Sequence, residues 1–116
     1  MIQNDSRDSI FAWPDLTFQG DIMKVLLIGA GEGGTALLPI LHEDKEIEIV
    51  GVVDNNQEAE GLKIARQYNI PTYTTYEHLI KRGNLDVIIN VTRNSQVLID
   101  IEKNKHATTE ILGGLS

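Results

Sequence analysis

Beyond the first twenty or so residues, the chain alternates between two hydrophobic periods. Uninterrupted runs of apolar or β-branched residues occur at 25–28, 47–53 and 87–91, and such runs predict strands that are covered on both faces. Between them, apolar residues return at helical spacing, as at Leu37 and Leu41, which predicts helices with one buried face. The pattern therefore indicates strands and helices in strict alternation.

The two periods together predict strands at 22–28, 47–53, 70–74, 85–91 and 107–112, and helices at about 32–43, 57–68, 76–82 and 95–104. Strands that alternate with helices imply parallel crossovers. We therefore predict the α/β class with a doubly wound parallel sheet, Rossmann-like, with about five strands in the order 3-2-1-4-5. In such sheets the ligand crevice lies beside the carboxyl end of the first strand.

A glycine cluster separates the first predicted strand from the first helix. Gly29, Gly31 and Gly34 fit the pattern G-x-G-x-x-G, and Gly33 lies in the same turn. The first glycine of this pattern permits the turn, the second lets the backbone approach a diphosphate, and the third lets the helix pack on the strand. The helix start adds free N–H groups and a positive dipole end. The alternative is an ordinary tight turn that binds nothing.

The second predicted strand ends in an acidic residue, Asp54, followed by Asn55. It lies about 20 residues after the glycine turn, where the dinucleotide-binding pattern places an acid for the ribose hydroxyls. The same carboxylate would repel a 2′-phosphate, and no arginine follows directly, so NAD is favoured over NADP. The alternative is that Asp54 is a cap or turn residue before the second helix.

Two charged residues complicate this site. Glu32 lies inside the glycine turn, where a carboxylate about 4 Å from a phosphate would cost from about 1 kcal/mol in water to roughly 4 kcal/mol at an intermediate dielectric. Arg93 follows the fourth strand and is a candidate either to pair with Glu32 or to reach the phosphates. Asn90 and Thr92, at the end of that strand, are candidates for the ribose that carries nicotinamide, although they could equally form strand-end hydrogen bonds.

Composition and charge exclude several other functions. The chain has 116 residues and no cysteine, so it predicts one domain without disulfides or cysteine chemistry. The net charge is −7 without a continuous basic track, which argues against nucleic-acid binding. No apolar run reaches the ~18 residues of a membrane helix, so a soluble cytoplasmic protein is expected. His42, His78 and His106 lack metal-ligand spacing, and we expect no metal site.

The first 21 residues differ from the rest because they show no sustained period. They nevertheless hold the only tryptophan, Trp13, and both phenylalanines. We therefore divide the chain into an arm, 1–21, and a Rossmann-type domain, 22–116. The arm is expected either to dock on the domain or on a second copy, which would make a homodimer, or to be a leader or a remnant between domains.

The segments GAGEGGTALL, IPTYTTYEHL and LDVIINVT, together with Asp54, carry a resemblance to a known family. Residues 22 to about 107 resemble the N-terminal NAD(P)-binding domain of the glucose-fructose oxidoreductase and inositol dehydrogenase family. Rex-type redox repressors are similar over the same stretch. N-terminal Rossmann modules of bacterial sensory proteins, such as histidine kinases and regulators, also resemble this chain, through the first turn, Val53-Asp54-Asn55 and the closing ILGGLS.

The chain departs from the dehydrogenase pattern at its fifth strand. That family continues into E-K-P, whose lysine contributes to catalysis, whereas the sequence here reads Glu110-Ile111-Leu112-Gly113-Gly114. Hydride transfer also needs an oriented second substrate beside the nicotinamide, and the substrate domain of the family is not in this sequence. We therefore predict a binding module without catalytic residues.

These observations lead to one main prediction and three alternatives. The main prediction is a domain that binds NAD and acts as a nucleotide- or redox-sensing module of a larger bacterial signalling protein. The first alternative is the cofactor-binding half of an NAD-dependent oxidoreductase. The second is a nucleotide-sugar domain, because the glycine turn and D-N-N also resemble sugar acetyltransferases. The third is a degenerate domain that serves for dimerisation.

Overall fold

The computed structural model describes residues 22–113. The predicted arm, 1–21, lies outside the described residues. In chain order the elements are β1 (Met23–Ile28), α1 (Glu32–Glu43), β2 (Ile47–Val53), α2 (Glu60–Gln67), β3 (Thr72–Tyr73), α3 (Glu77–Arg82), β4 (Val87–Asn90), α4 (Ser95–Asn104) and β5 (Glu110–Gly113).

The strands form one parallel sheet of five strands in the order β3-β2-β1-β4-β5. The predicted order 3-2-1-4-5 and the α/β Rossmann-like class are therefore confirmed. The order reverses between β1 and β4, where Ile28 lies opposite Asn90 in the register. The two connections leave the sheet on opposite sides there, and a crevice forms at the carboxyl ends of the two strands.

Helices cover both faces of the sheet, as the uninterrupted apolar strands predict. Alternate residues of β1 point to opposite sides. Val25 and Leu27 pack in a cluster with residues of α1 and α2, whereas Leu26 and Ile28 pack in a cluster with residues of α3 and α4. The four side chains are at most 2% exposed, so β1 is the centre of the core and its end is held rigidly.

Four elements are shorter or shifted relative to the predictions, and beside three of them side chains bond the backbone. The strand predicted at 70–74 is β3, which contains only Thr72–Tyr73. The helix predicted at 57–68 starts at Glu60, since side chains of the preceding loop form hydrogen bonds with backbone groups of that same loop. The strands predicted at 85–91 and 107–112 are β4 and β5, which start at Val87 and Glu110. Before them, the buried hydroxyl of Thr109 donates to the carbonyl of Leu85 at 2.8 Å.

Stop signals in the sequence mark the ends of two helices. Asn69 follows α2 with φ 61°, and Gly83 and Asn84 follow α3 with φ 81° and 63°. Asparagine and glycine tolerate this left-handed conformation best. The ring nitrogen Nε2 of His106 lies 2.9 Å from the carbonyl oxygen of Lys81 at the end of α3.

Candidate functional site

A cavity of about 820 Å³ opens at the carboxyl ends of the central strands. Its wall contains nine residues that the sequence analysis selects, namely Gly29, Gly31, Glu32, Gly33, Asp54, Asn55, Asn90, Thr92 and Arg93. The tenth, Gly34, lies under the turn. The strand order therefore brings segments that are far apart in sequence to one crevice, as the topological rule for doubly wound sheets requires.

The glycine turn between β1 and α1 has the geometry that the motif predicts. Gly29 has φ 107°, which disfavours any other residue. A Cβ at Gly34 would overlap the carbonyl oxygen of Gly29, whereas a Cβ at Gly31 would meet nothing within 4 Å. Gly34 therefore allows the helix to pack closely on the turn, and Gly31 exposes bare backbone to the cavity.

The start of α1 can receive an anion. Gly31 is its N-cap, and within the described residues no side chain caps this helix. The first N–H groups of a helix have no partner inside the helix, and the helix dipole makes this end positive. A phosphate group beside Gly31 would accept hydrogen bonds from these N–H groups without needing a basic side chain.

Asp54 connects the glycine turn to the loop that follows β2. Its Oδ2 accepts a hydrogen bond from the N–H of Ala30 at 2.8 Å, and its Oδ1 accepts one from the N–H of Asn56 at 2.9 Å. The turn role that the sequence analysis left as an alternative is therefore real. A carboxylate has about four lone-pair positions, so both oxygens keep capacity for a ligand hydroxyl.

A cation that sequence reasoning missed lies near this loop. The guanidinium of Arg66, on α2, lies 3.4 Å from Oε1 of Gln57, and the amide of Gln57 donates to the carbonyl oxygen of Asp54 at 2.9 Å. The sequence shows no arginine directly after Asp54, but the fold brings one from the last turn of α2. Its position on that helix is the only signal that could have located it.

At the end of β4, Asn90 has one satisfied and one unsatisfied side-chain atom. Its Oδ1 accepts from the backbone N–H of Thr92 at 3.1 Å and from the Thr92 hydroxyl at 2.7 Å. These two donors fix the orientation of the amide, so Nδ2 faces away from them. Asn90 is 1% exposed, and Nδ2 has no partner among the described residues. A buried donor without an acceptor typically costs about 1–3 kcal/mol.

The loop after β4 is held by a series of side chains. The Thr92 hydroxyl accepts from the N–H of Asn94 at 3.1 Å, and Oδ1 of Asn94 caps α4 by accepting from the N–H of Gln96 at 2.9 Å. Arg93 lies between them with φ 58°, an uncommon conformation for a residue with a long side chain. Among the described residues that line the cavity, Arg93 alone is positively charged.

Tyr76 also lines the cavity, and sequence reasoning did not select it. Its hydroxyl donates to Oδ2 of Asp100 at 2.6 Å. Burial, and then this hydrogen bond, raise the pKa of Tyr76 to about 12, while the bonds from Tyr76 and Gln96 lower the pKa of Asp100. Tyr76 therefore remains a neutral phenol at neutral pH. Its place after the third strand, at the carboxyl edge, is the signal that could have identified it.

Together these features fit a dinucleotide. The open backbone at Gly31 and the start of α1 suit a diphosphate, Asp54 suits ribose hydroxyls, and Nδ2 of Asn90 offers a buried donor to an oxygen. The part of the chain that the structure describes brings no three His, Asp or Glu residues together in a way that could hold a metal ion. Nor does any helix within 22–113 have the length and hydrophobicity to cross a membrane.

Solved structures with a similar fold include a protein from Desulfitobacterium hafniense DCB-2 that is named as an NADPH-dependent oxidoreductase. It has 17% identity and a TM-score of 0.62, with 77% of this chain and 26% of that chain covered. An NAD-binding protein from Listeria innocua gives 23% identity and a TM-score of 0.56, with 76% of this chain and 28% of that chain covered. At these identities the likeness shows the fold. This chain thus corresponds to about a quarter of the length of each structure.

The comparison with curated protein sequences found no match. A family profile, by contrast, matches residues 23–112 and describes an oxidoreductase family with an NAD-binding Rossmann fold. The matched range begins with β1 and ends within β5, so it includes all of the residues that line the cavity except Gly113. By fold, motif and this match, the chain belongs to the GFO/IDH/MocA oxidoreductase family as an NAD-binding Rossmann domain.

Proposed function

We propose that this chain is the cofactor-binding part of an NAD-dependent oxidoreductase. The observation that carries the proposal is the family match over residues 23–112, which spans a cavity with an open phosphate turn. A sensory module was the main prediction from the sequence, but no comparison supports a signalling role, and the oxidoreductase alternative agrees better with the family. Because the chain corresponds to about a quarter of the solved structures, we further propose that the substrate-binding residues lie beyond residues 22–113.

In this proposal each part of the cofactor has its own contact. The N–H groups at the start of α1 hold the diphosphate against the bare backbone of Gly31. Asp54 accepts from the adenosine ribose, and its bond from Ala30 keeps the carboxylate beside the turn. The end of β4 then faces the nicotinamide half. The bound cofactor would supply the hydride acceptor or donor, and the domain would supply binding and orientation.

We also propose that NAD is preferred over NADP. The Asp54 carboxylate would repel a 2′-phosphate on the ribose that it binds. Arg66 would favour NADP instead, because its guanidinium bonds Gln57 in the loop after Asp54 and a positive charge near this loop would attract a 2′-phosphate. Of the two solved structures described above, one is named for NADPH and the other for NAD. We therefore argue the choice between NAD and NADP from the charges of Asp54 and Arg66.

Isothermal calorimetry of the full chain with NAD, NADH, NADP and NADPH tests both proposals. The wild type is expected to bind an NAD form more tightly than the matching NADP form. Asp54→Asn is expected to reduce that preference roughly tenfold, equivalent to about 1.4 kcal/mol, because the charge is lost. Asp44→Asn is the matched control, since Asp44 also accepts from a backbone N–H two residues later but does not line the cavity.

Two results would contradict the proposal. If the wild type bound none of the four dinucleotides, NAD binding by this chain would be rejected, and competition with UDP-sugars would test the nucleotide-sugar alternative. If Asp54→Asn and Asp44→Asn changed the NAD-to-NADP preference equally, Asp54 would have no part in cofactor choice.

A further inference from the structure

We infer that the carboxamide of Asn90 is a ligand-binding group, and that its Nδ2 donates to an oxygen in the nicotinamide-riboside half of the dinucleotide. The inference rests on the proposed function and deepens it. It starts from a buried amide nitrogen that lacks an acceptor among the described residues, in a side chain that lines the cavity.

The position of Asn90 makes a structural role for Nδ2 difficult to find. Residues two apart on a strand share a face, and Ile88 packs against α3 and α4 in an apolar cluster that also contains Ile28. Asn90 therefore carries an amide into an apolar surface. Its oxygen already serves the loop, by accepting twice from Thr92. An aspartate or threonine could also supply an acceptor there, so the additional property of asparagine is its N–H donor.

The orientation of the donor does not depend on the ligand. If the amide were flipped, its NH₂ group would face two groups of Thr92 that donate, so the hydrogen bonds assign the oxygen to that side. Nδ2 is consequently fixed in direction by the same loop that positions Arg93. A donor fixed in this way selects an oxygen acceptor and disfavours an apolar group or a second donor.

The strand order decides which half of the ligand Asn90 would meet. Asp54 ends β2, on one side of the glycine turn, and Asn90 ends β4, on the other side. With the diphosphate at the turn and the adenosine ribose at Asp54, the opposite nucleoside extends toward β4. The acceptor is therefore a ribose oxygen or the carboxamide oxygen of nicotinamide.

Nδ2 itself has almost no accessible surface, so an acceptor reaches it only when side chains of the cavity wall adjust. Changes of side-chain rotamer at a binding site are common, whereas backbone shifts are less so. We therefore expect a substitution of Asn90 to lower the affinity for ligands that contain the nicotinamide-riboside half and to leave the affinity for the adenosine half unchanged.

The test compares three ligands, ADP, ADP-ribose and NAD, by calorimetry on the wild type and on Asn90→Asp. The aspartate keeps an acceptor for Thr92 but replaces the donor by an oxygen. The expected result is a loss of NAD affinity of roughly ten- to a hundredfold with ADP affinity within about twofold of the wild type. Asn90→Leu, which has the same number and branching of side-chain heavy atoms and no charge, is measured in parallel in case the buried carboxylate impairs folding, and thermal unfolding checks both variants.

The pattern across ligands decides the outcome. An equal loss for NAD and ADP-ribose assigns the acceptor to the ribose, and a loss for NAD alone assigns it to the nicotinamide carboxamide; both support the inference. Unchanged NAD affinity in a folded variant would overturn it, as would an equal loss for ADP, which would mean that Asn90 only supports the loop. If the wild type bound none of the ligands, the proposed function and this inference would both fail, whereas binding by the wild type with an unaffected variant rejects the inference alone.

Discussion

Glu32 and Arg93 bring opposite charges to the wall of one cavity. Glu32 is the first residue of α1, and a carboxylate at this end of a helix is stabilised by the dipole by about 0.3–1 kcal/mol. The same position is close to where a diphosphate would lie, so the charge that favours the helix opposes the ligand. This conflict is evident from the sequence, and the structure shows Glu32 exposed at the cavity.

Glu32→Gln is therefore expected to raise NAD affinity and slightly lower stability. Removing a charge about 4 Å from a phosphate at an intermediate dielectric corresponds to as much as roughly 4 kcal/mol, and solvent exposure reduces this to an expected gain of about three- to tenfold. Calorimetry measures the affinity, and denaturant unfolding measures the loss of a few tenths of a kcal/mol. Glu43→Gln, at the other end of the same helix, is the matched control and should leave affinity unchanged. Equal affinities for Glu32→Gln and the wild type would mean that the carboxylate points away from the phosphate.

At the scale of single residues, Gly29, Gly31, Asp54 and Asn90 are selected from the sequence because each lies at or just after a strand end, and the structure brings them to one cavity. Their role in binding stays a prediction. Tyr76 and Arg66 were missed, since Tyr76 resembles a core aromatic and Arg66 an ordinary exposed helix residue. Their positions relative to the crevice depend on how α2 and the segment after β3 pack, and that packing is a three-dimensional property.

At the scale of elements, the turn between β1 and α1 combines two separate requirements. Gly34 satisfies the fold, because a Cβ there would overlap the carbonyl oxygen of Gly29. Gly31 has no such packing role, because a Cβ there would contact nothing in the protein, and under the proposed function its bare backbone leaves space for the diphosphate. One motif thus contains a glycine that the packing requires and a glycine for which we propose a role in binding.

Substitution by alanine separates the two requirements. Gly34→Ala should lower the free energy of unfolding by about 1–3 kcal/mol or more, because α1 must move away from the turn. Gly31→Ala should change stability less, since its methyl group contacts nothing, but it should weaken NAD binding at least roughly tenfold by occupying the space for the diphosphate. Urea unfolding and calorimetry on both variants check this. The interpretation would be wrong if Gly31→Ala were the more destabilising variant, or if it bound NAD normally.

The element boundaries illustrate a limit of periodicity. The hydrophobic pattern located every strand and helix, but α2 begins at Glu60 and not near 57. Asp54, Asn56 and Gln57 bind nearby backbone groups through their side chains, and such local bonds compete with helix formation. Whether a short polar segment forms a helix or a loop depends on the neighbouring turn. Here the N–H of Ala30, in the glycine turn, donates to the carboxylate of Asp54.

At the scale of the whole molecule, the net charge of −7 opposes an anionic ligand. The described residues that line the cavity also carry an excess of negative charge, because two of them are acidic, Glu32 and Asp54, and one is basic, Arg93. The oxidised nicotinamide ring is positive and partly offsets the diphosphate, so the reduced cofactor carries more negative charge. Long-range repulsion should therefore affect NADH more than NAD.

Salt screens this repulsion, since the Debye length falls to about 3–10 Å at high ionic strength. Raising the salt concentration from roughly 50 mM to roughly 500 mM is expected to strengthen NADH binding by about two- to threefold and to change NAD binding less. Calorimetry at the two salt concentrations measures both. A loss of NADH affinity with salt would show instead that local contacts to the phosphates, including Arg93, outweigh the net charge.

The sequence by itself determined the fold class, the strand order and the location of the glycine turn. Hydrophobic period, glycine conformation and parallel crossovers are local or topological rules, and each can be applied to residues in order along the chain. The tertiary structure alone decided that Asp54 bonds Ala30, that Arg66 reaches the loop after β2, and that the amide of Asn90 has a donor left over. Hydrogen bonds and burial depend on distances between segments far apart in sequence, which no periodic pattern specifies.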